Sequence, residues 1–341
     1  MAKFVTALST IYEVDMKAGK LKESILKRSI LKQLHKRRED VIVTPAVGGD
    51  FGAMSVSENI VVVLSSDPVT LTRDAIGSSA IIAACNDVAC SGAIPMGVST
   101  TLLLPTSYNE EELRALMKDL DLACAQCGVD IISGHTEVTR AVKEPVVVVT
   151  VMGTVLKNEM RHSSNVRPGM DIVATKWVGL EGTAILACEK EEDLRSRYAQ
   201  PFIDKAKIFR QMMSILPEAA VAVKSGASAM HDVSEGGIFG ALWELAESAG
   251  VGLEIDLKKI PIRQETIEIC EFFDVNPYKL LSGGCLLIAT EDGNGLVMEL
   301  EKADIPAVII GKATDSNDRV LINEEERRFL ETTQTDELYR I

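Results

Sequence analysis

Between Ala83 and Pro95 the chain reads as a helix of small, almost wholly apolar residues, interrupted by one amide and one carboxylate, Asn86 and Asp87. A buried carboxylate is costly unless something partners it, so the fold around this helix must supply a partner or leave Asp87 at a surface. Small neighbours at Ala83, Ala84, Ala89 and Ser91 leave room for a ligand, and an oxygen-only pair suits a hard cation such as Mg²⁺. In the other reading, Gly92 and Pro95 close an ordinary solvated helix end. On these residues alone both readings stay open.

At 341 residues the chain exceeds one typical core and fits two domains. Hydrophobic residues make up 46% and charged residues 25%, a folded composition and not a disordered one. The net charge of −14 opposes nucleic-acid phosphates and anionic lipid, so a polyanion must meet a local site. Seven cysteines, among them Cys85, Cys188, Cys270 and Cys285 in apolar surroundings, read as buried thiols of a reducing compartment. Met1 to Thr10 lack the sustained apolar core of a signal segment, and no stretch is long and apolar enough to span a membrane. The expectation is a cytoplasmic protein with neither nucleic acid nor membrane as partner.

Along the chain, Lys17 to Asp40 reads as a basic amphipathic helix with a solvated face. The run Ile60 to Leu64 reads as a strand buried on both faces and ending at Ser65-Ser66-Asp67-Pro68. A helix from about Thr72 carries the Asn86-Asp87 pair, and Val98 to Leu104 returns as a strand. Glu110 to Cys127 reads as a helix, Val129 to Ile132 as a strand leading into a loop at Ser133 to Glu137, and Pro145 to Gly153 as a strand. Polar residues from Met160 to Asp171 mark a boundary, giving domains 1–160 and 161–341. In the second, Asp171 to Thr175, Cys285 to Thr290 and Ala307 to Ile310 read as strands. Helices are expected from Leu180, over Asp204 to Ser225, Gly237 to Ala249, Thr266 to Phe273 and Gly295 to Ala303. Alternating strands and helices place the chain in the α/β or α+β class.

Four acids, Asp50, Asp67, Asp87 and Glu137, sit where an apolar element meets a turn, the usual place of site residues on α/β scaffolds. Singly each reads as a turn former or cap; together they could hold Mg²⁺ and, through it, a nucleotide triphosphate. In the second half, Ser234 and Gly236-Gly237 open a helix after His231-Asp232, where backbone N–H groups could receive a phosphate. Gly19-Lys20 could also reach a phosphate, although no P-loop and no G-x-G-x-x-G fingerprint is present. The lone Cys124-x-x-Cys127 reads as core packing, not as a metal site. His35 and His162 read as solvated, whereas His135, beside Gly134 and near Glu137, could be a ligand, proton carrier or loop hydrogen-bonder.

With these residues in view, the chain resembles the aminoimidazole ribonucleotide (AIR) synthase superfamily, and within it the HypE-like members. Asn86 to Pro95 is similar to the signature N-D-[LV]-A-x-x-G-A-x-P, and other pieces follow in the family's order. These are Gly49-Asp50, Ser66-Asp67, Gly134-His135-Thr136-Glu137-Val138, and Asp232 to Gly237 for the turn D-x-[ST]-x-G-G. The resemblance spans about Lys20 to Gly311. It implies two α/β domains, an N-terminal one that pairs across a homodimer to close a β-barrel and a C-terminal sheet packed with helices, with ATP and Mg²⁺ between them.

The resemblance further implies ATP-dependent activation of a carbonyl, carboxamide or phosphate oxygen on a small molecule or protein carboxamide. Asp50, Asp67 and Asp87 would hold metal and phosphate, with Asp87 also taking part in the chemistry. Asn86 and Lys20 would place the nucleotide, His135 and Glu137 would act near the transferred phosphoryl, and Asp232, Gly236 and Gly237 would close the site. The chain departs from the pattern in three places. No cysteine follows Cys285, so modification of a tail cysteine is not expected; His135 stands where relatives carry an acid; and Phe51 follows Asp50 where a second acid is common. A thiamine-monophosphate-kinase-like small-molecule kinase and a non-catalytic nucleotide-binding regulator are the alternatives.

Overall fold

The computed structural model describes residues 20–332 and 335–341; the expectations for Met1 to Thr10 and for Lys17 to Gly19 lie outside the described residues. The basic segment is helical only from Glu23–Ile25 (α1) through a π-type turn at Leu26–Ile30 to a 3-10 turn at Leu31–Gln33. This is shorter than the expected Lys17–Asp40 helix. Ile25 alone is buried in this run, and without a packed apolar face a longer helix has little to sustain it.

The first half contains Val41–Val43 (β1), Gly52–Ser55 (β2), Ile60–Val69 (β3), Ile76–Cys90 (α2), Ile94–Pro105 (β4), Glu110–Cys127 (α3), Asp130–Thr139 (β5) and Val146–Leu156 (β6). Its strands form one sheet in the order β1-β2-β3-β6-β4-β5, antiparallel throughout except where β5 runs parallel to β4. Both helices pack on one face, so β3 is not doubly buried as expected. Val61, Val63 and Ser65 point inward, while Ile60 and Leu64 are exposed. The expected loop at Ser133 to Glu137 is instead part of edge strand β5, and β3 runs past Asp67 to Val69.

Helix α2 begins at Ile76, not Thr72, and 12 of its 15 residues are buried. A helix apolar all round needs cover on every side, and this one receives it from both halves. Its N-terminus has no side-chain cap of its own; Asp119 of α3 accepts from the Ser78 N–H at 2.8 Å. Helix α3 matches the sequence reading at both ends. Asn109 and Glu112 form a reciprocal capping box at its start, and Gly128 closes it in the left-handed conformation.

The second half contains Asp171–Thr175 (β7), Leu180–Glu189 (α4), Glu191–Leu194 (α5), Gln200–Ile208 (α6), Leu216–Lys224 (α7), Ala229–Val233 (β8), Gly237–Ala249 (α8), Gly252–Asp256 (β9), Gln264–Phe272 (α9), Cys285–Thr290 (β10), Gly293–Lys302 (α10), Ala307–Thr314 (β11), Arg319–Asn323 (β12) and Glu326–Phe329 (β13). The seven strands are ordered β13-β12-β9-β11-β7-β10-β8. On one face Ile172, Leu253, Ile255 and Leu287 pack against Ile238, Leu242 and Leu245 of α8. On the other, Val173, Met230, Leu286 and Ile288 pack against α7, α10 and Ala89-Cys90 of α2. The single helix expected from Asp204 to Ser225 is broken, with Pro217 in the first turn of α7. Among the described residues, two sheets and ten α-helices realise the mixed α/β class expected from the sequence. Among the described residues no helix is long and apolar enough to cross a membrane.

Candidate functional site

At the centre of the seam between the halves lies a buried amide. Asn86, 3% exposed, donates through Nδ2 to the Met213 carbonyl at 2.9 Å, and its Oδ1 accepts from the Ile215 N–H at 3.0 Å. From the other side Lys176 Nζ donates to the Met212 and Ser214 carbonyls at 2.7 Å each and pairs with Glu218 at 2.7 Å. Residues 212–215 are thus held by both halves, and Met213 enters the core of the first while Ala89 and Cys90 enter that of the second. Asn86 was expected to place a nucleotide. Both ends of its amide are engaged within the protein, so its part is to position the next residue, Asp87.

This seam leaves a cleft of about 350 Å³, lined among the described residues by Asp50, Asp67, Asp87, Glu181, Asp232, Glu235 and Glu244 but by a single cationic side chain, Lys20. Ser65 Oγ lies 2.6 Å from Asp87 Oδ2 and 3.1 Å from Asp67 Oδ2, bridging the two acids. Burial, then the negative charge of Asp232, Asp67 and Asp50, holds the Asp87 carboxyl well above the usual carboxylate range. Asp232 is pushed up to about 7, mainly by burial and by Asp50. Lys20 Nζ stands 3.4 Å from Glu244, and its backbone N–H donates to Glu235 at 3.1 Å. Burial would lower the lysine's pKa, but Glu244, Asp232, Glu235 and Asp50 raise it on balance.

His231 lies beneath the cleft. Its Nδ1 is 2.8 Å from Asp50 and its Nε2 is 3.4 Å from Glu244. Burial alone would favour the neutral ring, yet the two carboxylates raise it to about 10, so it is an imidazolium at neutral pH. The loop carrying Asp50 reaches it because Gly48, at φ +68°, lies against the α8 backbone, where any Cβ would fall 2.2 Å from the Glu244 carbonyl oxygen. Phe51, next to Asp50, is buried with its ring edge-on to His162. His162 is not solvated as expected: it is half-buried and caps a 3-10 turn by accepting from the Ser164 N–H.

Other expected site residues are placed differently. Gly236 begins α8 in the left-handed region, but its N–H donates to Asp336 at 2.7 Å. The anion at this helix start is therefore the chain's own side chain. Gly237 is required by packing, since a Cβ there would meet the Tyr278 carbonyl oxygen at 2.5 Å. His135 and Glu137 lie 3.7 Å apart on β5, 67% and 54% exposed, and neither lines the cleft of this chain. Continuous pairing with β4 draws their segment into the sheet edge. Cys127 of the C-x-x-C pair is a free thiol buried in the core and hydrogen-bonded to the free Cys85 thiol. Ser65, Glu181, His231 and Glu244 were not anticipated as parts of the site. A visible signal existed for Glu244, a single acid within the apolar run Phe239 to Ala246.

Fold and cleft together define a class: a two-sheet α/β protein with a strongly acidic cleft along the seam of its halves. The chain belongs to the AIR synthase related family, whose N-terminal domain matches residues 48–155 and whose C-terminal domain matches residues 167–323. It is 27% identical over 320 residues to a protein of Methanocaldococcus jannaschii assigned to hydrogenase expression/formation, covering 89% of this chain and 91% of that one. It is also 27% identical over 252 residues to the carbamoyl dehydratase HypE of Rhodobacter capsulatus, covering 72% of each. The fold matches a structure of HypE in complex with ATP, with a TM-score of 0.70 at 19% identity, over 94% of this chain and 97% of that one.

Two outcomes follow from this geometry. Asn86→Ala orphans a buried carbonyl and a buried N–H, and is expected to lower unfolding free energy by about 2–4 kcal/mol in urea titrations; a loss below 0.5 kcal/mol, roughly the scatter of ordinary surface substitutions, would remove the clamp from the account. Glu181, buried and raised to about 7 by burial and then by Asp336 and Asp232, binds its proton more tightly folded than unfolded. Its contribution is therefore fully present below the unfolded pKa and is lost as pH rises through 7. Glu181→Gln keeps the shape and is expected to be more stable than the parent by about 1–3 kcal/mol at pH 8, the difference shrinking at pH 5. Equal stability of the two proteins at pH 8 would contradict the buried charge.

Proposed function

We propose that the cleft binds ATP with Mg²⁺ and that the protein transfers the terminal phosphoryl group to an oxygen of a carboxamide or another small acceptor. The observation that carries this reading is the charge balance: among the described residues, seven carboxylates face one lysine. Such a wall repels a polyphosphate unless divalent cations intervene, and oxygen donors in this number are the ligands hard cations take. The upward push on Asp87 comes partly from neighbouring negative charge, which bound cations relieve, so the donor set fits the metal. Asp67 and Asp87, with Asp50 beside them, would hold Mg²⁺; the metal supplies neutralisation of the charge on the transferring phosphoryl group. Lys20, anchored by Glu244, presents a cation at the cleft wall. Leu26, Ala83, Ile185 and Leu281 offer an apolar wall for a flat heterocycle. The ATP-bound HypE of the same fold supports the nucleotide, and the carbamoyl dehydratase relative supports a carboxamide oxygen as acceptor.

Residues 1–160 would form the nucleotide-binding and pairing unit and residues 161–341 the unit that closes the cleft. A second copy of the chain is the proposed cover for the open face of the first sheet. Ile60, Leu64, Ile94, Met96, Met152 and Leu156 are all exposed there, with Ile60 beside Leu156 and Leu64 beside Met152. Strand register sets His135 beside Thr101 and Glu137 beside Leu103, and these beside Val148 and Val146 on that same face. Pairing would bring both side chains into the interface, where a role near the transferred phosphoryl depends on the neighbouring copy.

Calorimetric titration is expected to show ATP binding that needs Mg²⁺, with Asp87→Asn weakening it by about 10–100-fold, the loss of one charged contact. Equal binding without metal, or an Asp87→Asn protein indistinguishable from the parent, would overturn the reading; binding without ADP release in the presence of carboxamide acceptors would reduce it to a nucleotide-binding protein. Sedimentation velocity is expected to show a dimer that Ile94→Glu with Met152→Glu dissociates. A parent protein that stays monomeric at tens of micromolar would sink the pairing.

A further inference from the structure

Away from the cleft, two cysteines from different helices touch. Cys85 sits in α2 and Cys127 is the last residue of α3; both are free thiols of the first core, hydrogen-bonded to each other. The contact follows from how closely these helices approach. A Cβ on Gly77 of α2 would fall 2.8 Å from Asp119 Oδ2 and 3.1 Å from the Leu120 backbone nitrogen of α3, and each helix carries its cysteine eight residues further on, 77 to 85 and 119 to 127. The two therefore run side by side in one direction, with the small side chains of Ala84 and Ala123 buried in the core they share. Sulfurs in hydrogen-bond contact on helices this close are placed to be joined.

The two thiols differ in access. Cys85 is 0% exposed, whereas Cys127 is 8% exposed and stands between exposed Gln126 and Gly128. Gly128 ends the helix in the left-handed conformation, and nothing lies within 4 Å of the position a Cβ would take there. A small solute thus meets Cys127 first, from the helix end. The Cys85 thiol donates to the Cys127 sulfur and holds it below the usual thiol range, with burial opposing, and the thiolate is the reactive form of a cysteine. Neither sulfur lines the cleft, and neither has a part in the nucleotide reading.

We propose that Cys85 and Cys127 are a redox-sensitive dithiol, a modification site that hydrogen peroxide converts to a disulfide joining α2 to α3. The Cys127 thiolate attacks one peroxide oxygen, the O–O bond breaks, and the other oxygen leaves as hydroxide, which takes up the proton the thiol had released. Cys127 is left as a sulfenic acid. The Cys85 sulfur then attacks the Cys127 sulfur, the S–O bond breaks, and the departing hydroxide leaves as water with the Cys85 proton. Two thiols are oxidised by two electrons in all, and one peroxide is reduced to two waters. A small thiol reverses the bond by exchange. The disulfide closes one residue before Asn86, so it acts on the helix that carries the clamp.

The test treats the folded full chain with hydrogen peroxide, then alkylates it under denaturing conditions and maps it by mass spectrometry. The expected product has lost two hydrogens and two of the seven alkylatable thiols, and dithiothreitol restores both. Fragmentation of the linked peptides is expected to place the bond between Cys85 and Cys127, and Cys124→Ala to keep it. Cys85→Ala, with a folded circular dichroism spectrum, is expected to leave Cys127 as a sulfenic acid that a 1,3-dione probe traps. A bond from Cys127 to Cys124, no bond at all, or oxidation of the parent chain straight to a sulfinic acid would overturn the proposal. These outcomes are read on the unaltered chain, so they decide whether or not the variants fold, and whatever ATP titrations show.

Discussion

The architecture depends on a single carboxamide. Asn86 holds Met213 and Ile215 with both ends of its side chain, and it does so from a helix that belongs to two cores at once. Because α2 packs under the first sheet along most of its length and against the second at Ala89 and Cys90, the halves meet at a fixed place. The neighbouring Asp87 is thereby turned into the seam. Buried amides are satisfied or expensive, so the clamp tolerates little drift, and the cleft inherits its shape from that intolerance.

What the clamp assembles is electrostatically incomplete. Asp50, His231, Glu244 and Lys20 alternate in sign and hold one another, which gives the cleft floor a fixed charge pattern. Asp67 and Asp87 share the Ser65 hydroxyl and a hydrogen bond between their own carboxyl groups, with no cationic side chain bonded to either among the described residues. Carboxylates gathered at such cost to their ionised forms are typical of sites that meet positive charge from outside the chain. Stability and function pull in opposite directions here, as the buried charge of Glu181 also illustrates.

Much of this was legible in the residues. The Asn86-Asp87 pair was readable because polar atoms in a small-residue apolar helix need a reason, and α3, α8 and β10 were bounded correctly by their caps, turns and apolar runs. Asp50, Asp67, Asp87 and Asp232 do converge. Other features were hidden for physical reasons. Strand β8 holds His231 and Asp232 within five residues, all buried, so polar character masked a core strand. The break before α7 reflects backbone groups engaged by Asn86 and Lys176, partners distant in sequence. Glu181 and Glu244 join the cleft only through tertiary packing, and the outward placement of His135 and Glu137 follows from strand register, which no local pattern encodes.

The contact between Asp336 and the first turn of α8 decides what can occupy that helix start. A carboxylate attached to the same chain competes at an effective concentration on the order of millimolar or higher, set by its tether and not by the solution. Small free anions at lower concentration leave Asp336 in place. The start of α8 therefore carries its counter-charge permanently, whatever the salt around the protein.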